Sequence, residues 1–257
     1  PAWGVAVGLP KINVIAPGKL STENLREALD GVSGTILFAA PAPLRNVIKD
    51  DARFSKVRCV MSAGAPVSDV LLREVARSFP DAELFSPYGM TEMLIITDGI
   101  RDSSTSSRGV SVGQPLPGVD VVVFPFGCVT TGDLEPVSIG ATGEIFVTGP
   151  WLSVGYDQHW ARNRDARVQY AGREWHRTGD VGHVQNGLFV EGRIAHVLDI
   201  AGTQVTPVPI EQSVEEILPG VTAAAVGVKT DGQDALVVVL CDGSTTGVAD
   251  IATRNAV

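Results

Sequence analysis

Five consecutive residues, Tyr88-Gly89-Met90-Thr91-Glu92, bring a flat ring, a bare backbone position, a hydroxyl and a carboxylate into one short stretch. An aromatic face can take another flat group, glycine lets a neighbour approach the backbone, threonine donates, and an ionised glutamate only accepts. A turn with one polar handle accounts for part of this. It does not account for an acid directly after a hydroxyl, just past the apolar segment AELFSPYG. Three further stretches lie in fixed order around it. They are Ser62-Ala63-Gly64-Ala65-Pro66, then GEIFVTGPWLSVGY (143–156), then HRTGDVGHVQNGLFVEGRIAHV (176–197). The last contains Thr178-Gly179-Asp180 and Gly192-Arg193. Taken singly, each has a plainer reading: Thr91-Glu92 as a helix N-terminus, Asp180 as a turn residue, Arg193 as a surface cation.

Several other chemistries are excluded by spacing. Gly18-Lys19 would need a glycine at position 13 to form a phosphate loop, and that position is Asn13. There is no G-x-G-x-x-G after a strand and no G-x-S-x-G elbow. His159, His176, His183 and His196 lack the spacing of metal ligands. Cys59, Cys128 and Cys241 are odd in number and far apart, which fits idle thiols in a reducing cytoplasm. The net charge of −9 argues against a nucleic-acid surface and against anionic membranes. No apolar run reaches the roughly 18 residues of a membrane span. The first residues, PAWGVAVGLPKINVIAPGK, lack Met and a basic leader, and read as a chain entered in the middle.

The elements that must position these residues follow from periodicity. KINVIAP reads as a strand. STENLREALD has Ser21 as N-cap with Leu25, Ala28 and Leu29 on one face. GTILFAAPAP reads as a buried strand running into a proline-rich turn. VRCVMSAGAP is a strand ending in a turn. VSDVLLREVARSF is a helix with Val70, Leu71, Val75 and Phe79 as its stripe, and AELFSPYG is another strand. The spacing predicts an α/β fold with βαβ units and a parallel sheet over residues 1–108, where ligands sit past strand carboxyl ends. Residues 102–109 read as a polar loop. Over 109–192, short strands such as VDVVVFPFG, GEIFVTGP and GLFVEGRIAHVLDI predict an antiparallel or barrel-like β subdomain. Over 193–257, a helix and two strands begin a small α+β unit.

The four stretches resemble the adenylate-forming enzymes: acyl-CoA synthetases, peptide-synthetase adenylation domains and luciferases. The resemblance is carried by Tyr88, Gly89, Thr91 and Glu92, by Gly143, Glu144, Gly149, Gly155 and Tyr156, by Thr178, Gly179 and Asp180, and by Gly192 and Arg193. It covers nearly the whole chain. It implies ATP-dependent activation of a fatty or related carboxylic acid as an acyl-adenylate, with Mg2+, AMP retained on the acyl group, and coenzyme A as acceptor. Under it, Gly64, Ala65 and Pro66 let adenine lie against backbone, and Tyr88 offers a face to stack on. Gly89 and Met90 run beside the phosphates, and Thr91 donates to an α-phosphate oxygen. Glu92 ligates magnesium, Asp180 accepts from the ribose hydroxyls, and Arg193 adds a charged donor.

The resemblance also implies parts that lie outside these 257 residues: a Ser/Thr/Gly-rich phosphate loop upstream and a small-domain lysine downstream. On that expectation the chain alone does not catalyse adenylation. A hinge is expected between Gly192-Arg193 and His196, where the family's Gly-Arg-x-x-Asp has His196. The following LDIAGTQ has Asp199 and Ala201 where basic residues are common. SAGAPV, SPYGMTE, WHRTGDVG and GRIAHV together are similar to the branch that includes β-lactone synthetases of olefin biosynthesis, which close a ring with the substrate's own hydroxyl. A nucleotide-binding homologue without catalysis is the third expectation.

Overall fold

The computed structural model describes residues 20–32, 35–48, 51–101, 108–128, 134–200, 202–218, 220–230 and 233–241. The strand expected at 11–17 and most of the polar loop at 102–109 lie outside them.

The first unit has the expected alternation of strand and helix, but the strand in GTILFAAPAP, expected to be buried, leaves Ile36 and Phe38 exposed. Helix α1 (Thr22–Ala28) starts at Ser21, whose hydroxyl accepts from the Asn24 N–H at 3.3 Å. Strands β1 (Thr35–Phe38), β2 (Val57–Met61) and β3 (Glu83–Phe85) form a parallel sheet in that order. Helix α2 (Pro41–Ile48) follows β1, and helix α3 (Asp69–Ser78), capped by Ser68, follows β2. Leu25, Leu37, Leu44, Val60, Leu71, Val75 and Phe79 form the core between helices and sheet.

The proline-rich turn expected after β1 is instead the first turn of α2. Pro41 and Pro43 stand among the first residues of the helix, whose N–H groups have no partner inside it, so their missing donors cost nothing. The first i→i−4 bond comes from Leu44 to Ala40, at 3.3 Å.

The second sheet is antiparallel. Its strands are β4 (Val110–Ser111), β5 (Asp120–Phe124), β6 (Gly143–Thr148), β7 (Arg167–Tyr170), β8 (Arg173–Val184) and β9 (Leu188–Arg193). The order is β4-β9-β8-β6-β5, with β7 on β8. Among the described residues this order has two ends, so the expected antiparallel unit is present and no closed barrel forms. All six residues of β6 are buried. Ile145 and Val147 pack with Met93 and Ile96 on one side, and Phe146 with Phe124 and Trp175 on the other. Helix α4 (Trp160–Ala166), not foreseen from sequence, precedes β7 and buries no residue.

After β9 come a 3-10 turn (Ile194–His196), a hairpin of β10 (Leu198–Ile200) and β11 (Thr203–Val205), helix α5 (Pro207–Ile217), and a hairpin of β12 (Thr222–Thr230) and β13 (Gln233–Cys241). The expected helix and two strands are these last three; the strand expected over GLFVEGRIAHVLDI is instead split by the 3-10 turn into β9 and β10, and β10 pairs with β11, which was not foreseen from sequence. Thr206 donates to buried Glu191 of β9 at 2.8 Å, and Val208 packs into the core of the antiparallel sheet.

Candidate functional site

The segment after β3 leaves the parallel sheet and folds onto the antiparallel one. Tyr88 O accepts from the N–H groups of Ile96 and Thr97, at 2.8 and 3.2 Å. The Tyr88 N–H donates to Thr97 Oγ1 at 3.0 Å. Within this fold-back, Met90 and Met93 exchange backbone hydrogen bonds of 3.0 and 3.2 Å. Thr91 and Glu92 are therefore the two tip residues of a tight turn, not a helix N-terminus. Gly89 has a packing reason to be glycine: a Cβ there would stand 1.9 Å from the Leu94 carbonyl oxygen.

Asp180 lies mid-strand in β8, opposite Arg193 of β9 in the register. Gly179 has φ +74°, a conformation that favours glycine, and the Asp180 N–H donates to Thr178 Oγ1 at 3.0 Å. Thr178 Oγ1 in turn donates to the Ile145 carbonyl at 2.8 Å. Asp180 so placed is only 6% exposed. Tyr88 donates its hydroxyl to Oδ2 at 2.5 Å, and Arg193 Nε reaches Oδ1 at 2.9 Å. Burial pushes the Asp180 carboxyl above its usual range, against the Tyr88 hydrogen bond and the Arg193 charge. Burial, followed by the Asp180 charge, drives the Tyr88 phenol well above its usual value. Each Asp180 oxygen retains a lone pair for a further donor.

The structure thus brings Tyr88, Asp180 and Arg193 together directly. Thr91 is exposed and Glu92 half-buried on the same turn as Tyr88. Gly64, Ala65 and Pro66 are exposed in the turn after β2, and Gly64 has φ +92°. Ser62 N–H donates to Phe85 O at 2.9 Å, which sets that turn and the Tyr88 segment at the same carboxyl edge of the parallel sheet.

A second group of side chains surrounds Glu92. Tyr156 donates its hydroxyl to Glu92 Oε1, and the Ser153 N–H donates to the Glu92 carbonyl at 2.7 Å. Asn163 of α4 accepts from the Tyr156 N–H at 2.6 Å and donates to its carbonyl at 2.8 Å. Arg167 Nη2 donates to the Ser153 carbonyl at 2.5 Å and lies 3.2 Å from its hydroxyl. His176, 2% exposed, is the cross-strand neighbour of Arg167 and lies beside the Tyr156 ring. Burial of Glu92 works to raise its pKa, but the hydrogen bond from Tyr156 and the charge on Arg167 hold it below the ordinary carboxylate value. Burial and the Arg167 charge push His176 down to about 4. Sequence reasoning named Tyr156 only as a signature residue and His176 only as a non-ligand. It missed Ser153, Asn163 and Arg167, because no spacing or periodicity announces a contact between residues 64 apart, such as Glu92 and Tyr156.

A magnesium ion of the kind that arrives with a nucleotide fits this donor set. Mg2+ takes one or two carboxylates together with substrate phosphates and waters. Glu92 is one ionised, partly accessible carboxylate, and no group of three His, Cys, Asp or Glu exists among the described residues to form a protein-only cage.

Comparison with known proteins finds relatives over nearly the whole chain. The chain is 30% identical to the olefin β-lactone synthetase of Xanthomonas campestris pv. campestris over 271 residues, covering 97% of this chain and 48% of that protein. It is 29% identical to the mitochondrial medium-chain acyl-CoA ligase ACSF2 of Danio rerio, covering 89% of this chain and 38% of that protein. The solved amide bond synthetase McbA of Marinactinospora thermotolerans superposes with a TM-score of 0.71 at 26% identity, over 88% of this chain and 46% of that one. The chain therefore spans about half the length of the curated relatives it matches. The profile of the AMP-binding enzyme family matches residues 4–157, more than half of the sequence, and the chain belongs to that family.

Proposed function

We propose that this chain carries one wall of the nucleotide site of an enzyme that activates a fatty or related carboxylic acid as its acyl-adenylate. In this reading residues 1–108 and 109–192 belong to the large adenylation domain, and 193–257 begin its small domain. The observation that carries the reading is the buried Asp180 carboxylate. It is held in one orientation by Tyr88 and Arg193, each of its oxygens keeps a free lone pair, and the Thr91-Glu92 turn begins three residues after Tyr88. A carboxylate so fixed suits the two hydroxyls of a ribose.

In the reaction, a carboxylate oxygen of the acid attacks the α-phosphorus of ATP, and the bond to the bridging oxygen breaks as pyrophosphate leaves. The chain's residues orient and stabilise. The turn at Gly64, Ala65 and Pro66 and the ring of Tyr88 hold adenine. Asp180 holds the ribose, and Arg193 adds a fixed positive charge beside it. Gly89 and Met90 carry the backbone past the phosphates, and Thr91 donates to an α-phosphate oxygen. Glu92 would hold magnesium, which when bound neutralises charge on the phosphates. Coenzyme A then takes the acyl group as a thioester, releasing AMP.

A second destination for the acyl group is favoured by a specific observation. The relative aligned over 97% of this chain is named as a β-lactone synthetase. Asp199 and Ala201 also stand where a basic stretch would serve a coenzyme A half-reaction. There the substrate's own β-hydroxyl oxygen attacks the acyl carbon, and AMP leaves as the four-membered ring closes. The test is ATP–pyrophosphate exchange by the intact protein with a panel of fatty and β-hydroxy fatty acids, followed by product analysis with and without coenzyme A. Thioester and lactone distinguish the two destinations. ATP binding without exchange would make the protein a nucleotide binder and overturn the enzymatic reading.

A further inference from the structure

Glu92 is held at three levels. Its turn is closed by the Met90–Met93 backbone pair, its carbonyl is held by Ser153 N–H at 2.7 Å, and its Oε1 accepts the Tyr156 hydroxyl. The loop that supplies Ser153 and Tyr156 is itself fixed from outside. Asn163 bonds both backbone groups of Tyr156, at 2.6 and 2.8 Å, and Arg167 bonds the Ser153 carbonyl. Gly155 lets Asn163 in, since a Cβ there would meet Asn163 Oδ1 at 2.9 Å. Helix α4, which carries Asn163, places no residue in the core. What it visibly contributes is this grip on Tyr156.

A ring needed only for packing has no use for a hydroxyl aimed at a partly exposed carboxylate. A carboxylate on a two-residue turn, left alone, would rotate freely about its side-chain torsions. One donor on Oε1 removes that freedom and leaves Oε2 as the oxygen turned to other partners. We propose that Tyr156 is a positioning residue for Glu92, fixing one carboxylate oxygen so that the other is presented to a magnesium–nucleotide, with Asn163 holding Tyr156 in place.

This inference rests on the reading of Glu92 as the metal-binding carboxylate, and the experiment separates the two. Binding of Mn2+ to the intact protein with ATP is followed by electron paramagnetic resonance, and ATP–pyrophosphate exchange is measured across a magnesium titration. The variants are Glu92→Gln, Tyr156→Phe, Asn163→Ala and the double variant of the first two. Loss of a group that orients a metal ligand costs about 10–100-fold in metal affinity. Tyr156→Phe is expected to weaken Mn2+ binding about tenfold and to raise the magnesium requirement, with the rate at saturating magnesium much less affected. In the Glu92→Gln background it should add nothing further. Asn163→Ala keeps the hydroxyl but loosens its backbone, and should weaken Mn2+ binding in the same direction. Unchanged Mn2+ affinity in Glu92→Gln would remove the reading of Glu92. A large loss in Glu92→Gln beside wild-type affinity in Tyr156→Phe would overturn the positioning role alone. If Tyr156→Phe does not fold, wild-type Mn2+ affinity in a folded Asn163→Ala overturns it.

Discussion

His176 should make this fold sensitive to mild acid, by an amount that can be worked out. His176 is 2% exposed, its Nδ1 has no hydrogen-bond partner among the described residues, and it lies across the strand pair from Arg167. Burial and that charge lower its pKa from 6.5 to about 4. A depressed folded pKa means the folded state favours the neutral ring. Its contribution to stability is complete above pH 6.5 and is lost as pH falls through 4. The full shift corresponds to about 3 kcal/mol, of which about 2 kcal/mol is already gone at pH 5. His176→Phe keeps a ring beside Tyr156 and removes the titration. Urea unfolding of both proteins at pH 7, 6 and 5 gives the comparison, and the readout is the difference in slope, so any constant cost of the substitution cancels. The native protein should lose about 2 kcal/mol more than the variant between pH 7 and 5. Equal pH dependence in the two would show that His176 titrates normally in the fold, and that the burial argument is wrong.

Two further outcomes follow from the site. Under the proposed ribose contact, Asp180→Ala should weaken ATP binding by about 1.5–3 kcal/mol, the worth of hydrogen bonds to a charged group; calorimetry showing native affinity would overturn that contact. Gly89→Ala drives a Cβ to 1.9 Å from the Leu94 carbonyl oxygen, so the turn must open; a thermal melt within a degree of the native protein would show that the fold-back is soft.

What was legible in the sequence, and what was not, follows from the range of the forces. Helix α3 could be read because its signals are local: of the stripe Val70, Leu71, Val75 and Phe79, the last three recur at helical spacing and are buried, and only Val70 is partly exposed. The parallel sheet could be read because strand and helix alternate at short range. Helix α2 was misread because its prolines look like a turn until the helix is known to begin there. Helix α4 has no apolar stripe to announce it, since it buries nothing. The Tyr88, Asp180 and Glu92 stretches were visible as motifs. Their partners were not, because Tyr88 meets Asp180 across 92 residues and Glu92 meets Tyr156 across 64.

Those long-range contacts also say which sheet controls the site. The rule that ligands gather past the carboxyl ends of parallel strands puts Gly64 and Tyr88 at the correct edge. It says nothing about what orients them. Tyr88 is bonded through both its N–H and its carbonyl to Thr97 and Ile96, and Ile96 is a core residue of the antiparallel sheet, packed with Ile145 and Val147. Asp180 is set by Thr178, which is tied to Ile145 on β6. Glu92 is set by Tyr156 and Ser153, which answer to α4 and β7. Asp180 therefore sits on β8 and is held by Arg193 of β9 and by Tyr88, and Glu92 is held by the loop between β6 and α4. In the proposed reading the parallel sheet supplies the edge on which the nucleotide would lie, and the antiparallel sheet carries Asp180 and Arg193. A change in how the two sheets pack would move the Gly64–Pro66 turn relative to Asp180 and Glu92, while the bonds from Tyr88 and Arg193 to Asp180 and from Tyr156 to Glu92 could remain.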